Sequence, residues 1–307
     1  MLIGGIEAGG TKMVCAVAEV ADQGSIEKCG DVGEVKILDR ISLPTGQPKE
    51  TLAEMVDYFK KWDIEALGIG CFGPVDLNRK SVTYGYITKT PKLAWADCDI
   101  VGAFQEALQI PVGFDTDVNG AILGEVTWGA AKGCESAIYI TIGTGVGVGV
   151  YCNGSLLHGL VHPEGGHMLL SKHPEDSYKG RCPFHANCVE GLAAGPAIEE
   201  RWGKKGYELS DCAKVWELEA YYIAQAITNY IVTYSPEKII LWGGVMHQEH
   251  LFDMVRAQVK EMLGGYVHHP MVEEKIENYI IPPALGENPG ILGAIRLGML
   301  EKERESC

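Results

Sequence analysis

Two turns that combine glycine with threonine are the parts of this sequence best suited to chemistry. The first, Gly4–Lys12, reads GGIEAGGTK, and the second, Ile140–Gly147, reads ITIGTGVG. Short apolar runs flank both turns, which is typical of two strands joined as a hairpin. Because glycine permits positive φ and close approach, such a turn can direct several backbone N–H groups and a threonine hydroxyl at one anion. The pair therefore predicts a phosphate-binding cleft.

Neither turn matches the common nucleotide-binding motifs. A P-loop has lysine before Ser/Thr and leads into a helix, whereas here Thr11 precedes Lys12 and residues 13–17 are typical of a strand. In the second turn the last glycine, Gly147, is out of register for G-x-G-x-x-G. One such turn would be explained as an ordinary hairpin. Two turns with the same Gly-Thr chemistry favour phosphate binding.

Asp117 stands between a predicted strand at 111–114 and a predicted helix at 118–131. Taken alone it fits a helix N-cap, a position where aspartate is favoured. The functional interpretation is a general base at the carboxyl end of a strand, where α/β proteins bind ligands. A carboxylate there can take the proton of a hydroxyl that attacks a γ-phosphate. Asn119 could hydrogen-bond the same substrate.

Histidine and cysteine are concentrated between residues 162 and 191. Cys182-x2-His185-x2-Cys188, with His167 upstream, offers four N/S ligands, a set suited to structural Zn²⁺. The alternative is a pair of free buried cysteines beside a surface histidine. The other histidines of this region are interpreted as loop residues: His158, His162 and His173.

Composition limits the possible partners. The 307 residues are 46% hydrophobic and 22% charged, which fits a soluble protein of two domains. A net charge of −15 argues against nucleic acid and anionic membranes as partners. No signal peptide and no apolar run near the ~20 residues of a membrane span is recognised. The ten cysteines are therefore expected to be thiols in the cytoplasm.

The elements that must position these residues alternate between strand and helix, which predicts an α/β fold. Predicted strands cover 2–6, 13–20, 35–43, 66–72, 111–114, 137–142, 146–151 and 238–242. Predicted helices cover 49–62, 118–131, 190–202, 214–234, 249–263 and 290–305, and a polar loop covers 21–34. The order strand, glycine turn, strand and then α/β occurs twice, which indicates a duplicated fold. The pairs Gly243-Gly244 and Gly195-Pro196 could border a nucleotide or only form turns.

Taken together, these motifs resemble the ROK family of sugar kinases in the actin-like ATPase superfamily, and its bacterial fructokinase branch in particular. The matching stretches, in chain order, are 4–12, 73–76, 116–125, 140–147, 163–167, 182–190, 195–196 and 243–245. The resemblance implies a two-domain actin-like ATPase (ribonuclease H-like) fold with a zinc-binding loop. The smaller domain would be 1–117 plus 290–307 and the larger 118–289.

The resemblance also implies roles for the matching residues. The catalytic base would be Asp117. The sugar would be bound by Gly73, Asn119, Glu164, His167 and Glu190. The nucleotide would be bound by Gly10, Thr11, Lys12, Thr144, Pro196, Gly244, Val245, Met246, His247 and Gln248. Zn²⁺ would be bound by His167, Cys182, His185 and Cys188.

Two departures from the broader family bear on the metals. Glu7 stands where the family usually has aspartate, so contact with Mg²⁺ directly and contact through water both stay open. The zinc loop lacks the C-x-C-G-x-x-G-C spacing, and His185 replaces its second cysteine, a form similar to that of the fructokinase branch.

We therefore expect an ATP-dependent hexose 6-kinase that uses Mg²⁺, with D-fructose as the first candidate substrate and a homodimeric assembly. Glucose, mannose, allose and N-acetylhexosamines are the alternative substrates. A sugar-responsive regulator or a non-catalytic sugar- or zinc-binding protein is less favoured.

Overall fold

The computed structural model describes residues 1–21 and 33–306. Most of the polar loop predicted at 21–34 therefore lies outside the described residues. Packing divides the chain into two compact units. Unit 1 comprises Met1–Gly133, Leu156–His162 and Ala284–Cys307, and unit 2 comprises Cys134–Ser155 and Pro163–Pro283.

The secondary-structure elements are numbered along the chain. The strands are β1 (Leu2–Ala8), β2 (Lys12–Val20), β3 (Val35–Pro44), β4 (Ala66–Cys71), β5 (Tyr86–Ile87), β6 (Cys98–Asp99), β7 (Val112–Thr116), β8 (Ala137–Ile142), β9 (Val146–Cys152), β10 (Ser155–Leu156), β11 (Lys238–Trp242) and β12 (Ile280–Ile281). The α-helices are α1 (Pro48–Phe59), α2 (Ile100–Leu108), α3 (Asp117–Trp128), α4 (Val189–Ala193), α5 (Gly195–Trp202), α6 (Ala213–Tyr234), α7 (His250–Leu263), α8 (Pro270–Glu273) and α9 (Pro289–Glu305).

Unit 1 is built on a five-stranded sheet of order β3-β2-β1-β4-β7. The β1–β2 and β2–β3 pairs are antiparallel, and the β1–β4 and β4–β7 pairs are parallel. The core on one face includes Phe59 of α1 and Phe104 of α2, whose rings meet edge to face with centroids 6.3 Å apart. The core on the other face includes Ile291 and Ile295 of α9. Helices therefore cover both faces of the sheet.

The backbone of α9 lies directly against the sheet and against α3. A Cβ atom added to Gly68 on β4 would lie 1.7 Å from the carbonyl oxygen of Ala294, and one added to Gly293 would lie 1.6 Å from that of Gly120. Because neither gap admits a side chain, glycine is required for this approach. The approach fixes α3 relative to the ends of β4 and β7.

The far end of α3 is held by the buried carboxylate of Glu125. Its Oε2 accepts hydrogen bonds from the backbone N–H groups of Ala130 (2.6 Å) and Ala284 (3.2 Å), and its Oε1 accepts one from Leu285 (3.1 Å). These charge-assisted bonds satisfy backbone N–H groups that lie outside the helix. Glu125 thus connects α3 to the segment that leads into α9.

Unit 2 repeats the pattern of unit 1. Its sheet has the order β10-β9-β8-β11-β12, with β8–β9 antiparallel and both β8–β11 and β11–β12 parallel. In each unit, a hairpin with a glycine turn has a parallel strand beside its first strand. The two hairpins and the repeat predicted from the sequence are therefore confirmed.

Two helix predictions need correction. The helix predicted over 190–202 is two helices, because Ala194 is extended (ψ 152°) and Pro196, the second residue of α5, cannot donate a hydrogen bond to α4. Helix α2 was not predicted at all. Asp99 accepts a bond from the N–H of Gly102 at 2.7 Å, and this N-cap before an apolar run was the available signal.

The packing boundary falls after Gly133, whereas the sequence placed a domain boundary between 117 and 118. Helix α3 belongs to unit 1 because it packs along α9. The division into functional domains between residues 117 and 118 stays a prediction. Within the described residues, none of the helices combines the length and apolar character needed to cross a membrane.

Gly293→Ala should destabilise the protein through the α3–α9 contact. Overpacking of this kind costs about 1–3 kcal/mol, more than the ~1 kcal/mol that alanine gains over glycine in a helix. Gly159→Ala is the control, because the nearest atom to its added Cβ is 3.8 Å away. Chemical denaturation measures both variants, and equal midpoints would contradict the described contact.

Candidate active site

The junction between β7 and α3 in unit 1 carries Asp117. The N-cap of α3 is Thr116, whose Oγ1 accepts a hydrogen bond from the N–H of Asn119 at 3.1 Å. The capping role considered for Asp117 therefore belongs to Thr116. Asp117 is the first residue of the helix, and its Oδ1 accepts a bond from the N–H of Val118 at 2.8 Å. A Cβ added to Gly70 would lie 3.5 Å from the Cα of Asp117, so the acid lies beside the end of β4.

A second carboxylate, Asp115, is buried two residues before Asp117. Its Oδ1 accepts hydrogen bonds from the N–H of Thr116 and from Nδ2 of Asn119, both at 2.8 Å, and its Oδ2 lies 2.7 Å from Nε2 of His158. The hydrogen bond to Asp115 raises the pKa of His158 above its usual value of 6.5. The stabilisation from this pair is therefore complete below the usual pKa and is lost as the pH rises through the raised pKa.

His158 and His162 lie in a loop, as the sequence suggested, and both make tertiary contacts within unit 1. The N–H of Val75 donates to Nε2 of His162 at 3.3 Å, and a Cβ added to Gly73 would lie 3.4 Å from Cε1 of the same ring. His162 thus packs under the Gly73–Val75 loop within unit 1. Gly73 and Asn119 were predicted to bind sugar; Asp115, His158 and His162 were missed. For Asp115 the available sequence signal was its position as a charged residue inside the buried strand β7.

The first glycine turn joins β1 to β2. The N–H of Gly9 donates to the carbonyl of Lys12 at 2.9 Å, and Thr45 holds the turn by bonding the carbonyls of Gly9 (2.7 Å) and Thr11 (2.9 Å). Thr11 and Lys12 are exposed. Burial raises the pKa of Glu7, while Lys12 and Arg40 act to lower it. The net effect is a raised pKa. Once ionised, the carboxylate of Glu7 offers the oxygen ligands that a divalent cation such as Mg²⁺ prefers.

The second glycine turn in unit 2 is held by Glu190. Oε2 of Glu190 accepts a bond from the N–H of Val146 at 3.1 Å, and a Cβ added to Gly145 would lie 2.6 Å from that oxygen. The N–H of Gly195 donates to the carbonyl of Gly143 at 2.8 Å. The start of α4, the start of α5 and the turn are therefore fixed to one another.

A cavity of about 500 Å³ opens beside this turn. It is lined by most of the residues predicted for the nucleotide in this half: Thr144, Pro196, Gly244, Val245, His247 and Gln248. Met246 is buried and does not line the cavity, so its predicted contact has no support from this geometry. Lys205, Tyr207 and Trp216 line the cavity but were not predicted. Tyr207 is 72% exposed, so its ring is available to stack against a flat ring of a ligand.

The four predicted zinc ligands converge in unit 2. One ligand atom from each of His167, Cys182, His185 and Cys188 lies within 4.8 Å of all the others. Nδ1 of His167 is 3.7 Å from Sγ of Cys182 and 3.6 Å from Sγ of Cys188. Tetrahedral Zn²⁺, with Zn–S near 2.3 Å and Zn–N near 2.0–2.1 Å, places neighbouring sulfur and nitrogen ligands about 3.6 Å apart. The donor types and the spacing both fit zinc.

The segment between His167 and Cys182 is fixed to α5 and α6 by a buried arginine. The guanidinium of Arg201 lies over the rings of Tyr178 (4.7 Å) and Tyr222 (5.4 Å), and it pairs with Asp176 at 3.3 Å. This ion pair, with the guanidinium packed against two aromatic rings, orders the loop that carries the zinc-ligand cluster.

The duplicated mixed sheets, each with a glycine turn, define an actin-like ATPase-type sugar kinase fold. A model of the ROK family matches residues 3–300, and the chain belongs to that family.

Individual relatives cover the whole chain. The sequence is 49% identical over 306 residues to a protein of Bacillus subtilis (strain 168), spanning 100% of this chain and 98% of the relative. It is 45% identical over 297 residues to the fructokinase of Pediococcus pentosaceus, spanning 97% of each. The crystal structure of the ROK hexokinase from Thermus thermophilus superposes with a TM-score of 0.78 at 25% identity, covering 99% of this chain and 100% of that chain.

Proposed function

We propose that this protein is an ATP-dependent fructokinase that phosphorylates D-fructose at its 6-hydroxyl. The observation that carries the proposal is the 45% identity to the Pediococcus fructokinase across 97% of both chains. The position of Asp117 at the β7–α3 junction agrees with the chemistry, because a carboxylate at the end of a parallel strand can reach a bound ligand.

Asp117 acts as the general base that takes the proton of the primary hydroxyl as it attacks the γ-phosphate. Backbone N–H groups of the two glycine turns offset the charge that develops on the phosphate oxygens. Mg²⁺ would supply positive charge that offsets the charge of the phosphates, and Glu7 would hold it directly or through water.

The remaining roles are proposals that rest on the family resemblance. The sugar is held by Gly73, Asn119, Glu164, His167 and Glu190. The phosphates lie near Gly10, Thr11, Lys12 and Thr144. The adenosine is bordered by Pro196 and by Gly244, Val245, Met246, His247 and Gln248, and the 500 Å³ cavity supports this placement for all of them except Met246.

A structural Zn²⁺ is proposed for the cluster of His167, Cys182, His185 and Cys188. Two nitrogen and two sulfur ligands would fill all four positions of a zinc site, which is typical of structural rather than catalytic zinc. Cys188 is also the N-cap of α4, the helix that carries Glu190. The metal would thereby order a helix with a sugar-binding role.

The cellular setting is also proposed. We place the protein in the cytoplasm as a homodimer without a nucleic-acid or membrane partner, with the predicted domains 1–117 plus 290–307 and 118–289. The net charge of −15 supports the partner assignment.

A panel of hexoses tests the activity. With ATP in excess, we expect ADP release with fructose to have a higher kcat/KM than with glucose, mannose, allose or N-acetylhexosamines, and the product to be phosphorylated at position 6. Higher kcat/KM on another hexose would reassign the substrate. Absence of ADP release with every hexose would contradict the kinase assignment.

Cys182→Ser tests the zinc. The purified wild type should contain about one zinc per chain by elemental analysis, and the variant should lose it because one of four ligands is gone. The fructose KM should rise together with metal loss. Cys212→Ser is the control, since Cys212 is exposed and outside the cluster. Wild-type protein purified without zinc would remove this part of the proposal.

A further inference from the structure

Asp115 is a buried acid next to the proposed base, and no step described above uses it. Its side chain is only 4% exposed. An ionised carboxylate offers acceptors only, so each group that bonds to it must present a hydrogen. Three groups do so in unit 1: the N–H of Thr116, Nδ2 of Asn119 and Nε2 of His158. Asp115 therefore determines the orientation of its neighbours.

The consequence is clearest for Asn119, which is 1% exposed. The two ends of an amide look alike in shape, and the bonding partner determines which end faces it. Because Oδ1 of Asp115 can only accept, the NH₂ end of Asn119 faces Asp115 at 2.8 Å. The amide oxygen of Asn119 then faces away from Asp115. In that orientation it can accept a hydrogen bond from a ligand.

His158 holds the other oxygen of Asp115. Its Nε2 must carry a hydrogen to bond a carboxylate, which fixes the ring tautomer. The ring comes from the segment 156–162, which packs in unit 1 although the residues on both sides of it belong to unit 2. When protonated, the imidazolium balances the buried charge of Asp115, and its raised pKa agrees with that pairing. Thus the three side chains form a chain from His158 through Asp115 to Asn119.

We propose that Asp115 and His158 are positioning residues of the sugar site. Asp115 holds the amide of Asn119 so that its oxygen accepts a hydrogen bond from a sugar hydroxyl, and His158 holds Asp115. This inference rests on the proposed function, and in particular on Asn119 as a sugar ligand. The ligand group assigned in this way is a sugar hydroxyl that donates a hydrogen bond to the amide oxygen of Asn119.

A double-mutant cycle tests the coupling between Asp115 and Asn119. Asp115→Ala removes the acceptor that holds the NH₂ end of the Asn119 amide, so the hexose KM should rise about tenfold with little change in kcat, the signature of lost ground-state binding. In an Asn119→Ala background the same substitution should change KM by less than about twofold, because the group through which it acts is gone. A purely structural role would lower kcat and the thermal midpoint by similar amounts in both backgrounds.

His158 gives a second, independent cycle, because its side chain is 42% exposed and its replacement perturbs the core little. His158→Ala should raise KM in wild type and not in the Asn119→Ala background. His158→Gln keeps a side-chain N–H donor and should restore most of the affinity. His268→Ala is the control, because His268 pairs with Glu273 at 3.0 Å on the surface.

The cycles are run with the hexose on which the wild type is most active. Their KM values can therefore be interpreted even if that hexose is not fructose. KM effects of the same size in both backgrounds, for Asp115→Ala or for His158→Ala if Asp115→Ala does not fold, would overturn the positioning roles. Failure of the wild type on all hexoses is the separate result that removes the proposed function.

Discussion

The close approach of α9 to β4 and α3 is the constraint on which the position of Asp117 in unit 1 depends. Gly68 and Gly293 leave gaps below 2 Å to a neighbouring carbonyl for any added Cβ, so backbone rests on backbone. The start of α3 is thereby fixed beside the end of β4, and Asp117 is carried there as its first residue. Glu125 fixes the other end of α3. The place of the acid is therefore set by packing along the whole helix.

In unit 2 a short stretch of chain connects the Cys/His cluster to the second glycine turn. Sγ of Cys188 caps α4 by accepting a bond from the N–H of Gly191 at 3.3 Å. Glu190, two residues after Cys188, accepts a bond from Val146 at the end of the turn. Displacing Cys188 would move Glu190 and, through it, the turn. Through this connection, a metal bound by the Cys/His cluster would order the second glycine turn.

The sequence predicted the features that depend on neighbouring residues. The hairpins follow from glycine between apolar runs, and three of the cluster's ligands fall within 182–188. The roles of His158 and His162 could not be predicted, because their partners lie 43 and 87 residues away and only tertiary packing brings them together. From the sequence Asp117 was considered as the N-cap of α3, and only the backbone geometry shows that the N-cap is Thr116.

The most direct test of the account is the fructose affinity and turnover of Asp117→Asn, with Asp63→Asn at an exposed position as control. If Asp117 is the base, calorimetry should find fructose bound with nearly wild-type affinity while kcat falls by about 10²–10⁴-fold, the usual contribution of general-base catalysis. The control should retain full turnover. Near-normal turnover in Asp117→Asn would contradict the assignment of the reaction centre to the β7–α3 junction.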